Sequence, residues 1–93
     1  MSDDRCRAAI RKSKNLMVPW YLMSSYLYYC KDISLLSDGL YDKLCADMIE
    51  AWPEITHRHK HLIDLEALKA GTGFQLREDD YPQIVKCAAA RLA

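Results

Sequence analysis

Leu40, Tyr41, Leu44, Cys45, Met48, Ile49 and Trp52 recur at i, i+1, i+4, i+5, i+8, i+9 and i+12. Only a helical period of about 3.6 residues gathers those positions on one side, so this stretch has to be an amphipathic helix with a wide apolar face. Asp42, Lys43, Asp47 and Glu50 fall between the apolar positions and face elsewhere. Asp38 stands where an N-cap is expected, because its carboxylate can accept from the free N–H groups of the first turn. Trp52-Pro53 marks the stop, since a residue before proline is disfavoured in the α region.

The preceding segment, Pro19 to Cys30, is apolar nearly all round and reads as a largely buried helix. Pro19 suits its first turn, where a missing N–H costs nothing. Asp3 and Asp4 open an earlier helix that stops near Ser13–Asn15. Farther along, Asp64–Ala70 reads as a short helix closed by Gly71. Gly73–Asp80 is ambiguous, with an extended stretch as one reading. Asp79, Asp80 and Pro82 announce a last helix with Ile84, Val85, Ala88 and Leu92 inward. The expected fold is all-α: one domain over residues 1–93, a small bundle of four or five short helices. Its core should set Leu40, Tyr41, Leu44, Met48, Ile49 and Trp52 against Trp20, Leu22 and Tyr26.

A hydrophobic fraction of 51% is ample for one core and argues against disorder. Lys plus Arg and Asp plus Glu both total 13, which disfavours direct nucleic-acid binding or a membrane-surface role, although a local basic patch is compatible with it. The longest apolar stretch, within Leu16–Cys30, is broken by Pro19, Ser24 and Ser25 and is too short to span a bilayer. Cys6, Cys30, Cys45 and Cys87 form no C-x-x-C pair, and MSDDRCRAAIRK has no apolar signal core. Reduced thiols packed as small hydrophobes, in a cytoplasmic protein, are the expectation.

Tyr26–Leu44, YLYYCKDISLLSDGLYDKL, carries the functional signal. It places Tyr28 and Tyr29 near the end of one helix and Asp38, Tyr41 and Asp42 at the start of the next. Positions i, i+3 and i+4 are neighbours on a helical face. Two carboxylates and a tyrosine thus meet two further tyrosines across a short linker. Aromatic faces beside hydrogen-bond acceptors suit a flat heterocycle bearing amide and hydroxyl donors.

The segment also resembles the N-terminal helical subdomain, Ia, of bacterial NAD-dependent DNA ligases, whose pattern is YYxxDxxxxSDxxYDxLxxEL. Tyr28, Tyr29, Asp32, Ser37, Asp38, Tyr41, Asp42 and Leu44 match it without a gap. The likeness runs from about Tyr21 to Ile55, where WPEI stands for the family's YPEL, and leaves 56–93 as a divergent extension. The resemblance implies binding of the nicotinamide mononucleotide half of NAD, with Tyr28 and Tyr41 flanking the ring. It implies that Asp38 and Asp42 accept hydrogen bonds from the carboxamide or ribose, with Tyr29 at a position the family fills with histidine or tyrosine. Small stand-alone ligase-related proteins of bacteriophages share this character.

The departures matter as much. Ser34 replaces the family's proline, Asp47 stands where a glutamate is expected, and the linker into the ligase core is absent. No K-x-D-G adenylation motif occurs, so ligation by this chain alone is not expected. The leading expectation is a non-catalytic module that binds nicotinamide mononucleotide or docks on a protein partner such as a ligase or replication protein. The alternatives are a component acting in trans with a ligase or nucleotidyltransferase, and a DNA-associated protein using Arg5, Arg7, Arg11, Lys12, Lys14, Arg58 and Lys60.

Structural explanations stand beside these. Tyr28 and Tyr41 suit a core, Asp38 a cap and Asp42 the helix dipole. His57, His59 and His61 would share one side of an extended segment, but Arg58 and Lys60 repel a cation, so no metal is expected and a solvated basic turn is the reading. Gly71-Thr72-Gly73 lacks the lysine of a phosphate loop and reads as a turn.

Overall fold

A computed structural model of the chain describes residues 2–70 and 76–93. Among them are five α-helices: α1 Asp3–Lys12, α2 Met17–Lys31, α3 Asp38–Ala51, α4 Leu65–Lys69 and α5 Gln83–Leu92. Short 3-10 turns separate several of them, and the described residues include no strand, so the fold is an all-α bundle. None of these helices is long and apolar enough to cross a membrane.

The central element is α2, which packs against both α3 and α5. Its residues from Trp20 to Leu27 are all buried, as an all-round apolar helix requires. It begins at Met17 rather than Pro19, yet Pro19 still lies in the first turn, where no donor is missed. Two serines inside the core satisfy themselves differently. Ser24 Oγ donates to the Trp20 carbonyl at 2.7 Å, while Ser25 Oγ and Tyr81 Oη hydrogen-bond at 2.9 Å. Tyr81 also meets the Tyr26 ring edge-on at 5.2 Å, so the C-terminal segment is fastened to α2 by a buried tyrosine.

Along α3, Leu40, Leu44, Cys45 and Met48 are buried, with Tyr41, Ile49 and Trp52 packed partly against the core. Two expectations about its ends are corrected. Ser37, not Asp38, is the N-cap: its hydroxyl accepts from the Leu40 N–H at 3.3 Å, and Asp38 is the first helical residue. Trp52 is not displaced from the α region, since its φ and ψ are −48° and −48°. The helix ends because Pro53 has no N–H to give the Ile49 carbonyl, which takes the Trp52 N–H instead as the chain tightens into a 3-10 turn over Trp52–Glu54.

Farther on, Asp64 caps α4 through the Glu66 N–H at 3.0 Å. Gly71, and with it the reading of Gly71-Thr72-Gly73 as a turn, lies outside the described residues. Of the segment up to Asp80, Glu78–Asp80 is a 3-10 turn rather than extended. On α5 the inward face is shifted by one position. Val85 and Ala89 are buried and Ala88 and Leu92 pack against the core, whereas Ile84 is 59% exposed. The i, i+4 pair Val85 and Ala89 defines the face, and Ile84 is rotated about 100° from it.

Candidate functional site

The last turns of α2 bring out Tyr28 and Tyr29, and the helix then stops sharply. Asp32 adopts the left-handed conformation (φ 57°, ψ 39°), and the Ile33 N–H closes back on the Leu27 carbonyl at 2.9 Å. Aspartate is one of the few residues beside glycine that visits this region readily. The reversal sends the linker back along the helix, where Leu35 and Leu36 bury themselves in the core. The N-terminus clamps this linker from the far side. Ser2 donates its N–H to the Leu35 carbonyl at 2.8 Å, and the Ser37 N–H donates to Asp3 Oδ1 at 2.9 Å. These bonds from Ser37 hold the Asp3 carboxyl below its ordinary value. Ser37 then caps α3, whose first turn and a half carries Asp38, Tyr41 and Asp42.

Between the end of α2, the linker and the start of α3 lies a cleft of about 320 Å³. All five residues singled out in the sequence, Tyr28, Tyr29, Asp38, Tyr41 and Asp42, line it. Ser24, Ser34, Leu35 and Leu36 complete the wall and were not singled out. Ser34 and the two leucines sit within the motif's spacer, and Ser24 is one turn before Tyr28, so only the folded linker reveals them.

The tyrosines are arranged unequally. Tyr28 is 54% exposed and stands perpendicular to Tyr29, with ring centroids 4.9 Å apart and an interplanar angle of 86°. Tyr41 is stacked on the core residue Tyr21 at 5.9 Å and 20°. Its hydroxyl is buried and makes no hydrogen bond of good geometry, although the Tyr21 hydroxyl lies close enough to interact with it. Burial first, and the Tyr21 hydroxyl second, push the Tyr41 phenol far above its ordinary range. A phenol there stays protonated and can both donate and accept. Asp38 and Asp42 are exposed, and neither makes an ion pair or a side-chain hydrogen bond among the described residues.

No known protein family, characterised protein or solved structure shows a significant match to this chain. None of these comparisons links the chain to the ligase subdomain, and the cleft is defined by its own lining residues.

The other candidates take different places. The histidine segment is a turn running into the 3-10 helix Lys60–Leu62, not an extended strand. His57 Nδ1 accepts from the His59 N–H at 3.1 Å, and the described residues contain no group of three or more side chains set to hold a metal ion. Nor is the turn simply solvated. Lys60 Nζ donates to the Trp52 carbonyl at 2.7 Å and the Ile55 carbonyl at 3.0 Å while sitting 4.7 Å from the Trp52 ring centroid. It fastens the end of α3, where a cation is favoured by the unsatisfied carbonyls. Burial holds both His57 and His59 below their ordinary imidazole value, with Arg58 adding to it.

The four cysteines are all unpaired. Cys6 and Cys45 are buried, and burial pushes each thiol up to about 11, so both are inert packing groups. Cys30 is half-buried, and its thiol is also raised by burial. Cys87 departs from the expectation of packed thiols, because α5 turns it to solvent.

Proposed function

We propose that this chain is a non-catalytic binding module whose cleft holds the nicotinamide mononucleotide end of NAD. The observation that carries the reading is the convergence of Tyr28, Tyr29, Asp38, Tyr41 and Asp42 on one cleft. Small-molecule sites run from roughly 300 to 1,000 Å³, and a cleft of about 320 Å³ is at the small end, suited to a ring and its sugar rather than a whole dinucleotide. The fit to the ligand's chemistry is specific. Tyr28 and Tyr29 offer aromatic surface, while Asp38 and Asp42 offer uncommitted acceptors for carboxamide and ribose donors. The Tyr41 hydroxyl is sealed inside the fold, so this residue offers the cleft only the accessible part of its ring.

Adenylyl transfer from NAD, in which a lysine takes the AMP and nicotinamide mononucleotide leaves, would need an attacking lysine, and no K-x-D-G motif is present here. The chain's own residues bind and orient. Incubating the purified protein with NAD should give no covalent AMP adduct by intact mass; an adduct would overturn the non-catalytic part of the reading. Binding itself is tested by titrating millimolar nicotinamide mononucleotide into the isotopically labelled chain. Amide shifts confined to the two helix ends around the cleft are expected, and their absence would remove the ligand reading.

A second reading is favoured by the surface beside the cleft. Tyr28 is 54% exposed and Ile33 39% exposed, so apolar surface remains at the rim after the domain has folded. A nucleotidyltransferase that covers the cleft would bury both, making this chain a subdomain supplied in trans. Restored adenylation of a ligase truncated for its own subdomain would support that role.

A further inference from the structure

We propose that the cleft selects its ligand by permanent positive charge, taking an N-substituted pyridinium in preference to the neutral pyridine of the same shape, and that it provides no seat for a phosphate. The inference rests on the reading that the cleft holds a nicotinamide ring, and it adds what that ring must carry. Tyr28 and Tyr29 meet at 86° with centroids 4.9 Å apart, so they present two differently oriented π surfaces to the same space. A cation within about 6 Å of a tyrosine centroid is drawn electrostatically to the ring face, an attraction that a neutral ring, which can only stack, lacks. Asp38 and Asp42 line the same cleft with no ion pair among the described residues, so their charge is available to a ligand.

Among the described residues no lysine, arginine or histidine lines the cleft. The lysines adjacent in the chain are committed elsewhere: Lys31 pairs with Glu78 at 2.8 Å and Lys43 with Asp47 at 3.1 Å. A phosphate brought to this mouth would therefore meet two carboxylates, whose charge offsets the partial positive charge of the α3 N-terminus, and no cationic side chain among the described residues. That is repulsive at short range even in a watery setting. Contacts to the carboxamide are common to the neutral and the cationic ring, and so they cancel in the comparison.

The test uses the whole chain in parallel NMR titrations with nicotinamide, 1-methylnicotinamide, nicotinamide riboside and nicotinamide mononucleotide. We expect 1-methylnicotinamide to bind roughly tenfold tighter than nicotinamide, a margin that cation–π attraction and two nearby carboxylates supply together. That margin should shrink in high salt and in the Asp38→Asn, Asp42→Asn double variant, both of whose positions are exposed. The mononucleotide should bind no tighter than the riboside. Equal affinity for the two simple rings, or tighter binding of the mononucleotide than the riboside, would overturn the inference. If the mononucleotide binds while ring charge makes no difference, the ligand reading survives and this inference falls. If 1-methylnicotinamide binds and the mononucleotide does not, the inference stands and the mononucleotide reading falls. Silence from all four probes would sink both.

Discussion

Removing the Tyr28 ring separates a binding role from a packing role, because the structure sets the two at very different magnitudes. The residue is 54% exposed, whereas its core neighbour Tyr21 is 2% exposed. Truncating a fully buried aromatic typically costs about 3–5 kcal/mol. Tyr28→Ala should cost far less, chiefly the edge-on contact with Tyr29 at 4.9 Å. Such pairs contribute about 0.5–1.5 kcal/mol, so a drop of roughly 4–8 °C in melting temperature per kcal/mol sets the scale for a domain this small. The ligand side is larger in relative terms. A half-site open to solvent should hold nicotinamide mononucleotide with a dissociation constant on the order of 0.1–1 mM, about 4–5.5 kcal/mol. Stacking on an aromatic side chain supplies about 1–3 kcal/mol of that kind of affinity. Tyr28→Ala should accordingly push binding beyond the millimolar range while the helical circular dichroism signal stays nearly unchanged. Titration followed by amide shifts, with thermal melts of both proteins, reads the two effects side by side. Unaltered binding by the variant, or its unfolding, would refute the assignment of Tyr28 to the site.

Leu44→Ala removes one of the most deeply buried side chains, 1% exposed, and should cost about 2–5 kcal/mol, seen as a fall of at least roughly 8 °C in the thermal midpoint. Tyr41→Phe deletes a buried hydroxyl that has no well-formed hydrogen bond and is sealed from the cleft, so stability should hold or rise by up to about 1 kcal/mol in thermal melts while nicotinamide titrations give an unchanged affinity. The Asp3 carboxyl, held low chiefly by its hydrogen bonds from Ser37, should show its stabilisation in full above the unfolded value near 3.8 and lose it as pH falls through the still lower folded value. Urea midpoints should therefore separate the wild type from Asp3→Asn at pH 6 and converge at strongly acid pH; a gap that widens on acidification would contradict the bond.

The α3 stripe was legible because side-chain burial along a helix repeats with the helix itself: Leu40, Leu44 and Met48 are buried where the period puts them. The ends of elements were less legible, because they depend on which single group wins a local competition. Ser37 and Asp38 are both good caps by type, and the serine prevails because the linker presents its hydroxyl to the Leu40 N–H while Asp3 occupies its own N–H. Lys60 looked solvated because nothing in the sequence says that the carbonyls of Trp52 and Ile55 converge on it after the turn. Tyr81 could not be connected with Ser25 for the same reason, with 56 positions of chain between them. The cleft's five forecast residues were legible because helix end, short linker and helix start leave few ways to arrange them.

The motif divides once each residue's structural task is known. Asp32 turns the chain in the left-handed region, and Ser37 caps α3. Those two would be wanted by any chain making this reversal, whatever it binds. Tyr41 is mixed, one side stacked on Tyr21 and its hydroxyl left without a good partner. Tyr28, Asp38 and Asp42 are different again. The fold gains an edge contact and partial burial from the first, and from the two exposed aspartates no side-chain bond among the described residues. First-turn acids do favour the helix dipole, but at about 0.3–1 kcal/mol when exposed, and a carboxylate anywhere in that turn would serve. The dipole therefore accounts for acidity near the start of α3 and not for two carboxylates placed at i and i+4 on the face that meets Tyr28 and Tyr29. On the proposed function a ligand in the cleft would account for that placement, because it would need both acceptors on the side where the aromatic surface is.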